Sequence, residues 1–541
     1  MDLITLYKKE SEISGLTALI TAIISGVAQG ALLGIIVTAA STATHKSLNF
    51  RYFLMFAITF AIVIIGKRHA LKQAMIIAEE IVKKIRIRIG DKIRNTDLLF
   101  LENTGREDIF TRIAQDTSQI SEAAILIINA WQSAIVLVFS IFFLAMLSKP
   151  AFVITLIAIA IAVALYLSHQ KSIAEELVET TKKETRFFEM LNQIIDGFKE
   201  LRINQKKNDH HFRYFEKTAI RASDLKIKTG FKFITLVMSS QVFFYTLLGI
   251  IIFILPRLGH ISGELVIRVT AVILFIIGPV NLMVTAIPIF ARANNAIRNL
   301  YILEERLDKA SNNFNPEHKS PITKIANFNE LRFESISFSY TDRNGTPLFT
   351  VGPLDLTITR GEILFIVGGN GSGKTTLLKL LTGLYYPISG TLGVDDLTIS
   401  TPFYPAYREL FSIIFNEFYL FDRLYGLDTI DEEKVGELLK LMILENKTEL
   451  VGDAFSNIQL STGQRKRLAM IVALLDNKQI YVFDEWAADQ DPIFRKYFYE
   501  VLLKDLKAQG KTVIAVSHDD RYFHYADRVL KMEFGKFVER I

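Results

Sequence analysis

The sequence predicts two joined domains of different fold class, an all-α domain of membrane-spanning helices over residues 1–310 and an α/β domain over residues 331–541. Long apolar runs fill the first part, whereas the second part alternates short strand-like runs with helix-compatible segments. Hydrophobic residues make up 50% of the 541 residues and the mean hydropathy is +0.28, which is typical of a membrane protein. Residues 311–330 contain Pro316 and Pro321, show little periodicity and are predicted to form a linker.

The all-α domain is expected to contain six membrane spans with long cytoplasmic helix extensions. A helix needs about 20 apolar residues to cross the ~30 Å hydrocarbon layer, and six apolar stretches approach that length. The second and fourth stretches are short, so their helices are expected to continue into polar sequence. The first follows Lys8 and Lys9 and is interpreted as a retained span, not a cleaved signal peptide. The stretches lie near residues 15–40, 52–66, 124–147, 150–168, 233–255 and 265–288.

The distribution of basic residues predicts the orientation of the chain. The connections between spans two and three and between spans four and five are long and rich in Lys and Arg, whereas the others are short and nearly uncharged. Because Lys and Arg accumulate in cytoplasmic loops, these two connections, both termini and the α/β domain are predicted to be cytoplasmic. The net charge of +5 is attributed to lysines near anionic lipid, not to a nucleic-acid surface. The sequence contains no cysteine, which excludes disulfides and thiolate chemistry.

The two basic connections are expected to be helical levers. Isoleucine and valine recur at helical spacing between residues 76 and 87, which predicts one helix from about residue 52 to 98. It would be about 70 Å long, with ~30 Å in the bilayer and ~40 Å in the cytoplasm. A separate amphipathic helix on the membrane surface is the alternative. The turns that follow the projecting helices are placed at Asp97–Thr104 and Ile203–His210 and are expected to contact the α/β domain. The adjacent His210 and His211 point apart on a helix, so they are assigned to a polar interface rather than to a metal site.

Polar residues inside the predicted spans allow two interpretations. Hydrogen bonding between helices is favoured for the serines, and lining of a substrate cavity is the alternative. Arg268 follows Glu264 by one helical turn, so an ion pair at the outer mouth is favoured over a substrate contact. Pro279 and Pro288 are expected to kink the sixth span. The residues concerned are Gln29, Asn129, Gln132, Ser239, Ser240, Gln241, Arg268 and Asn281.

The strongest local pattern is the run Gly-Gly-Asn-Gly-Ser-Gly-Lys-Thr at residues 368–375, which matches the phosphate-binding pattern G-x-x-x-x-G-K-[ST]. An apolar run precedes it and a helix-compatible run follows it, which is the strand–loop–helix setting that the pattern requires. Glycines let backbone N–H groups converge on phosphates, and the new helix directs its positive end at them. Lys374 is predicted to bind the β- and γ-phosphates, and Thr375 to hold Mg²⁺. The predicted nucleotide-binding residues of this loop are Gly368, Asn370, Gly371, Ser372, Gly373, Lys374, Thr375 and Thr376.

Two further strand-like runs end in residues that suit hydrolysis. The first leads into Asp484 and Glu485, of which Asp484 is suited to hold Mg²⁺ and Glu485 to polarise the attacking water. The second is followed by His518, which is suited to a γ-phosphate contact. Tyr340, upstream of the phosphate loop, is a candidate for stacking on adenine. Together these patterns predict a nucleotide hydrolase with Glu485, His518 and Lys374 as catalytic residues.

The run Leu460-Ser461-Thr462-Gly463-Gln464 resembles the LSGGQ signature of ABC ATPases, and it lies between the phosphate loop and Asp484 as that family requires. The six predicted spans with two long cytoplasmic excursions resemble the exporter-type fold of the same superfamily. The resemblance covers essentially the whole chain and implies an ATP-driven membrane transporter that uses ATP and Mg²⁺. It also implies a homodimer, because a composite ATP site of this kind needs the signature of a second copy.

The resemblance assigns roles to individual positions. Tyr340 takes the adenine-stacking place, and His518 is the switch histidine. Asn416 falls where the family usually has a glutamine that senses Mg²⁺, so the implied metal set is Thr375, Asn416 and Asp484. The signature residues are implied to contact the γ-phosphate on the opposite subunit, and one aspartate lies in the dimer-contact loop. These positions are Ser461, Gly463, Gln464 and Asp491.

Three departures from the family pattern narrow the resemblance. Asn416 is one methylene shorter than glutamine, Thr462 replaces a glycine, and the stretch from Trp486 to Pro492 is not the common form. These features look like the branch that exports cyclic peptides and siderophores, with exporters similar to those for pyoverdine precursors and lasso-type microcins. The predicted function is therefore ATP-driven export of a peptide-like compound across a bacterial cytoplasmic membrane by alternating access. Siderophore import, lipid flipping and ATP-gated regulation of another membrane protein remain alternatives.

Overall fold

The computed structural model describes residues 15–42, 50–259, 262–311, 328–342 and 344–540, together with Thr5 and Ile325. The chain forms two compact units, one comprising Met1–Ile93 with Arg106–Arg306 and the other Arg94–Gly105 with Leu307–Ile541. Most of the predicted linker at 311–330 lies outside the described residues, as do Lys8 and Lys9. These units differ from the predicted division into residues 1–310 and 331–541, because the short segment 94–105 belongs to the second unit.

The first unit is built from long α-helices. Four helices are long and apolar enough to cross a membrane, Thr17–Ala40, Phe50–Arg94, Asp108–Leu147 and Gly263–Ser311, and two shorter apolar helical stretches lie at Lys149–Ala164 and Gln241–Arg257. In the described part of the chain these six overlap the six predicted spans. The predicted all-α fold is confirmed, whereas the bounds of the spans stay a prediction. The helices up to residue 311 are α1 Gly15–Thr42, α2 Phe50–Arg94, α3 Leu98–Thr104, α4 Arg106–Thr111, α5 Thr117–Leu147, α6 Lys149–Asp196, α7 Phe198–Ile203, α8 Gln205–Gly249, α9 Leu255–Gly259 and α10 Gly263–Ser311, with π-helical turns at Arg112–Asp116 and Ile250–Ile254.

Close packing between α1 and α5 depends on small residues. A Cβ added at Gly30 would lie 2.5 Å from Cγ of Phe139, so only glycine allows this approach. Buried polar groups pair across the same contact, since Gln132 Nε2 donates to Ser25 Oγ at 3.0 Å and to Gln29 Oε1 at 3.1 Å. For Gln29 and Gln132 the structure therefore shows bonding between helices. Ser239, one of the serines for which such bonding is favoured, instead donates to the carbonyl oxygen of Thr235 in its own helix at 2.7 Å.

The long helix α2 extends well beyond its apolar part. Its 45 residues correspond to about 68 Å at 1.5 Å per residue. The polar part is not a surface helix, because one of its faces is buried at helical spacing, for example at Ile77, Ile81 and Ile85. The alternative of a separate amphipathic surface helix is therefore wrong.

The second predicted turn, at Ile203–His210, was misplaced. The short helix α7 ends at Ile203, and α8 begins at Gln205 with Asn204 as its N-cap, whose side chain accepts a hydrogen bond from Lys207 N at 3.0 Å. His210 and His211 consequently lie inside α8, where His211 Nε2 is 3.4 Å from Gln193 Oε1. Among the described residues no group of three or more His, Asp or Glu side chains is placed to hold a metal ion.

Two predictions concern the sixth span, an ion pair and two kinks, and only the ion pair is seen in the structure. Arg268 forms the predicted i,i+4 ion pair with Glu264. Pro279 and Pro288 both lie inside α10, which runs without interruption from Gly263 to Ser311, so the kinks stay a prediction.

The second unit is an α/β structure with three sheets. Five strands of the largest sheet are parallel and only β12 runs antiparallel, in the order β12-β11-β3-β10-β9-β6. An antiparallel sheet has the order β2-β1-β4-β5, and β7 pairs with β8. The strands are β1 Glu330–Thr341, β2 Pro347–Thr359, β3 Ile363–Val367, β4 Ser389–Val394, β5 Leu397–Thr398, β6 Phe411–Ile414, β7 Leu450–Val451, β8 Ala454–Phe455, β9 Ile480–Asp484, β10 Thr512–Val516, β11 Arg528–Glu533 and β12 Lys536–Arg540. The helices are α11 Lys374–Leu381, α12 Tyr404–Arg408, α13 Glu432–Leu441, α14 Thr462–Asp476, α15 Pro492–Tyr497 and α16 Leu503–Ala508.

The central strands β3, β9 and β10 are buried along their whole length. Parallel strands covered on both faces read as continuous apolar runs, which is why the sequence marks all three. Their carboxyl ends meet at one edge of the sheet, where the chain leaves β3 into the glycine-rich loop, β9 into Glu485 and β10 into Ser517. The sheet therefore brings the three predicted catalytic segments together.

Candidate nucleotide-binding site

The glycine-rich loop between β3 and α11 has the shape expected for phosphate binding. Gly368 has φ +152°, and a Cβ there would lie 2.2 Å from the carbonyl oxygen of Met532, so glycine is required. Gly373 precedes α11 in a left-handed conformation with φ +103°. Ser372 Oγ is buried and has no hydrogen-bond partner among the described residues. An unpartnered buried hydroxyl in this loop fits an anionic ligand.

Lys374 is buried in the loop that it is predicted to serve. Its Nζ donates to the carbonyl oxygens of Gly368 at 2.9 Å and Gly369 at 3.0 Å. Burial lowers the pKa of Lys374, and the charges of Glu485 and Asp484 oppose that shift. These two carboxylates therefore help to keep the ammonium charged, as a phosphate contact requires.

Thr375 and Asp484 are brought together as the predicted metal set requires. Thr375 Oγ1 donates to Asp484 Oδ2 at 3.1 Å. Asp484 is 1% exposed, and burial raises its pKa, while the bond from Thr375 opposes the rise. A divalent cation would compensate such a desolvated carboxylate, so the hydroxyl and the carboxylate fit Mg²⁺.

Glu485 and His518 form a pair beside this site. His518 Nε2 lies 2.9 Å from Glu485 Oε1, and the same carboxylate oxygen lies 3.9 Å from Lys374 Nζ. Glu485 has a left-handed backbone with φ +51° and ψ +36°, which is uncommon for a residue with a side chain. The structure thus places all three predicted catalytic residues within one cluster.

Asn416, the third predicted metal ligand, follows strand β6. Its main chain lies close enough to Asp484 to oppose the rise in the pKa of that carboxyl, which places it at the site. Its side-chain Oδ1, however, accepts a hydrogen bond from Lys466 Nζ at 3.2 Å. The oxygen that would bind Mg²⁺ therefore faces a lysine, and its role as a ligand stays a prediction.

Tyr340 lies close to the phosphate-loop helix. Its hydroxyl is 3.2 Å from Thr376 Oγ1 and donates to the Tyr385 hydroxyl at 3.4 Å. Its ring packs edge-on against Phe338, with ring centroids 5.1 Å apart. Stacking of Tyr340 on adenine stays a prediction.

The signature residues form the start of α14. Ser461 Oγ accepts from Gln464 N at 3.5 Å and Gln464 Oε1 accepts from Ser461 N at 3.2 Å, a reciprocal capping box. Gly463 packs against the neighbouring loop, where a Cβ would lie 2.8 Å from Asp489 O. Asp491 caps α15 by accepting from Ile493 N and Phe494 N. Contacts of these residues with a second copy stay a prediction.

Sequence reasoning missed the cations that hold the loop 486–491, which we call the aspartate loop. Arg467 donates to Gln490 and Asp491, Arg495 donates to the carbonyl oxygens of Ala487 and Ala488, and Lys466 pairs with Asp489. Lys466 lies four residues before the buried Met470 on α14, and that spacing would have placed it on the buried face.

Comparison with known proteins agrees with the fold. Residues 13–277 match the family model described as ABC transporter transmembrane region, and residues 351–488 match the model described as ABC transporter. The ATP-binding protein SyrD of Pseudomonas syringae pv. syringae is 32% identical over 481 residues, which cover 85% of this chain and 83% of that protein.

Two shorter likenesses and one structural likeness complete the comparison. The energy-coupling factor transporter ATP-binding protein EcfA1 of Mycoplasma genitalium is 34% identical over 38% of this chain and 77% of that protein. The ATP-dependent lipid A-core flippase of Chromohalobacter salexigens is 29% identical over 39% of this chain and 37% of that protein. The structure of a bacterial Atm1-family ABC exporter with ATP bound has a TM-score of 0.78 at 14% identity, covering 98% of this chain and 95% of that chain, which shows a shared fold.

Proposed function

The chain belongs to the ABC transporter family as an ATP-driven exporter, and on this basis we propose that it exports a peptide-like compound as a homodimer that works by alternating access. We place it in a bacterial cytoplasmic membrane, with its ATP sites in the cytoplasm. The proposed cargo is a cyclic or otherwise modified peptide, or a siderophore precursor.

The observation that carries the hydrolytic part of the proposal is the cluster at the carboxyl ends of β3, β9 and β10. Lys374 would bind and neutralise the phosphates, and Thr375 and Asp484 would hold Mg²⁺, which would offset phosphate charge when bound. Glu485 orients and polarises the attacking water, and His518, 2.9 Å from its carboxylate, fixes that side chain. Hydrolysis then allows the dimer to reset.

The peptide-like cargo is supported by the departures from the family pattern at Asn416, Thr462 and the stretch from Trp486 to Pro492, which resemble the branch that exports cyclic peptides and siderophores. The likeness to the lipid A-core flippase covers 39% of this chain, which is short enough to lie wholly within one domain. That shorter likeness therefore gives no reason to prefer a lipid as cargo.

Inside-out proteoliposomes test this function directly, because their cytoplasmic face is outward. We expect labelled cyclic peptides from a panel to accumulate in the lumen only when ATP is added, and only with the unaltered chain. Glu485→Gln protein at equal density is the control.

Three outcomes would contradict peptide export. Loss of peptide preloaded in the lumen on addition of ATP would indicate import. Translocation of a fluorescent lipid that no peptide inhibits would indicate a flippase. An ATPase rate that neither peptide nor lipid changes, without transport, would indicate a regulator.

A further inference from the structure

Lys466 is a fully buried lysine next to the hydrolytic site. It lies in the first turns of α14, which starts at the signature, and is 1% exposed. Lysine is almost never fully buried unless its ammonium group is paired, because removing that charge from water is unfavourable. The contacts that compensate its burial therefore indicate what Lys466 does.

The ammonium group of Lys466 meets three acceptors from three different segments. Its Nζ lies 2.7 Å from Asp489 Oδ2, 3.0 Å from the carbonyl oxygen of Glu485 and 3.2 Å from Asn416 Oδ1. Two of its N–H donors are thus matched by hydrogen bonds, and the carboxylate of Asp489 compensates its charge. Lys466 thus joins the segment after β6, the turn after β9 and the aspartate loop.

The contact with Glu485 is made to its main chain, where the conformation is unusual. A left-handed backbone is unfavourable for a glutamate and persists only where its surroundings hold it. The backbone of Lys466 reinforces the same turn, because its carbonyl accepts from Trp486 Nε1 at 2.9 Å. These two contacts hold the peptide group that follows Glu485. The Glu485 side chain then leaves the turn in the direction that places its carboxylate beside His518.

We propose that Lys466 is a positioning residue for ATP hydrolysis, which holds Glu485 and Asn416 in place. It acts through the Glu485 carbonyl and the Asn416 side-chain oxygen, and it does not touch the nucleotide. Because α14 begins at the signature, Lys466 also links the signature of each chain to the catalytic carboxylate of that chain. The assignment rests on the proposed hydrolytic role of Glu485 and does not depend on the homodimer.

Substitution of Lys466 tests the proposal, since its partner Asp489 is 43% exposed at the side chain and can be solvated when the lysine is removed. We expect Lys466→Met to lower kcat for ATP by about 20-fold or more, with KM within about threefold, because misplacement of a reacting group acts on the chemical step. Lys466→Arg, which keeps the charge and the donors, should recover kcat to within about fivefold of the unaltered chain.

Lys511 provides a matched control. It is a buried lysine of the same unit at 8% exposure, and its Nζ donates to a carbonyl oxygen of Asn477 at 3.2 Å. We expect Lys511→Met to leave kcat within about twofold, since Lys511 and Asn477 precede β10 and β9 and so lie at the opposite ends of these strands from His518 and Glu485. Equal losses of kcat in both variants would overturn the proposal, and so would a Lys466→Met rate within about twofold of the unaltered chain.

A second substitution applies if Lys466→Met protein does not fold. Asp489→Asn weakens the ammonium tether at an exposed side chain and should lower kcat by about threefold to fivefold without changing KM. An unchanged rate would overturn the proposal. All these rates are basal ATPase rates and need no cargo. A contrary result would therefore refute the role of Lys466 without bearing on peptide export. Absent peptide transport with normal ATPase rates would refute the proposed cargo without bearing on Lys466.

Discussion

Glu485 has an unfavourable left-handed backbone conformation, and its carboxylate contacts both His518 and Lys374. Such a residue is held in one orientation by its surroundings, which suits a group that must present the same oxygen to a water molecule in every cycle. The chemistry of the site thus depends on a few side chains whose positions are fixed by contacts behind them.

We expect Glu485→Gln to retain ATP binding but to lower kcat by about 100-fold or more, since general-base catalysis contributes at least that much. The amide keeps the size of the side chain but cannot accept a proton. Binding of a fluorescent ATP analogue and release of phosphate measure the two effects. Hydrolysis at the unaltered rate would show that Glu485 is not the base.

We expect Lys374→Ala to weaken ATP binding at least tenfold, because a hydrogen bond to a charged group contributes about 1.5–3 kcal/mol. Lys379→Ala is the matched control on the same helix, since Lys379 bonds to Glu102 and not to the loop. Nucleotide titration measures both. An unchanged affinity in Lys374→Ala protein would refute its phosphate role.

The element that links the two units in sequence is the segment containing α3. Glu102 on α3 accepts from Lys379 Nζ at 2.8 Å and from the hydroxyl of Tyr385, and Leu98 and Leu99 pack on the core of the ATPase unit. The contact expected between the first turn and the α/β domain is therefore present. Because α2 leads directly into this segment, α3 is well placed to pass motion along the chain.

We expect Glu102→Ala to reduce peptide transported per ATP by several-fold while basal ATPase changes little. An exposed ion pair contributes only about 0–1 kcal/mol, so the fold should survive. Asn103→Ala, on the same helix and exposed, is the control. An unchanged transport ratio, measured in proteoliposomes, would show that this contact does not couple hydrolysis to export.

The packing of helix α1 on helix α5 can be tested by measuring protein stability. We expect Gly30→Ala to destabilise the protein by about 1–3 kcal/mol, because a Cβ there overlaps the ring of Phe139. Gly34→Ala is the control, since the nearest atom to its Cβ would be 3.6 Å away. Thermal unfolding in detergent compares them, and equal midpoints would contradict the packing.

Most of the site could be predicted because its motifs are local. The phosphate loop, Asp484–Glu485 and His518 each follow a buried strand, and parallel pairing brings their ends together. The contacts of Lys466 could not be found in the same way, because they join three segments distant in sequence, although its spacing from Met470 marks it as lying on the buried face. The second turn ends earlier than predicted because Asn204 caps α8, and asparagine is a common N-cap.

For the whole molecule, one chain supplies one membrane unit and one ATPase unit. The phosphate loop, the catalytic carboxylate and the signature each occur once in the chain. The proposed mechanism therefore requires two copies of the chain. Both copies would build each ATP site, and helices from both would form the export path.

The mass of the particle that hydrolyses ATP tests this claim most directly. Purified protein in lipid nanodiscs can be sized by light scattering while phosphate release is followed in the same fractions. We predict that ATPase activity coincides with particles of two chains and is absent from particles that hold a single chain. Full turnover by particles of one chain would contradict the account.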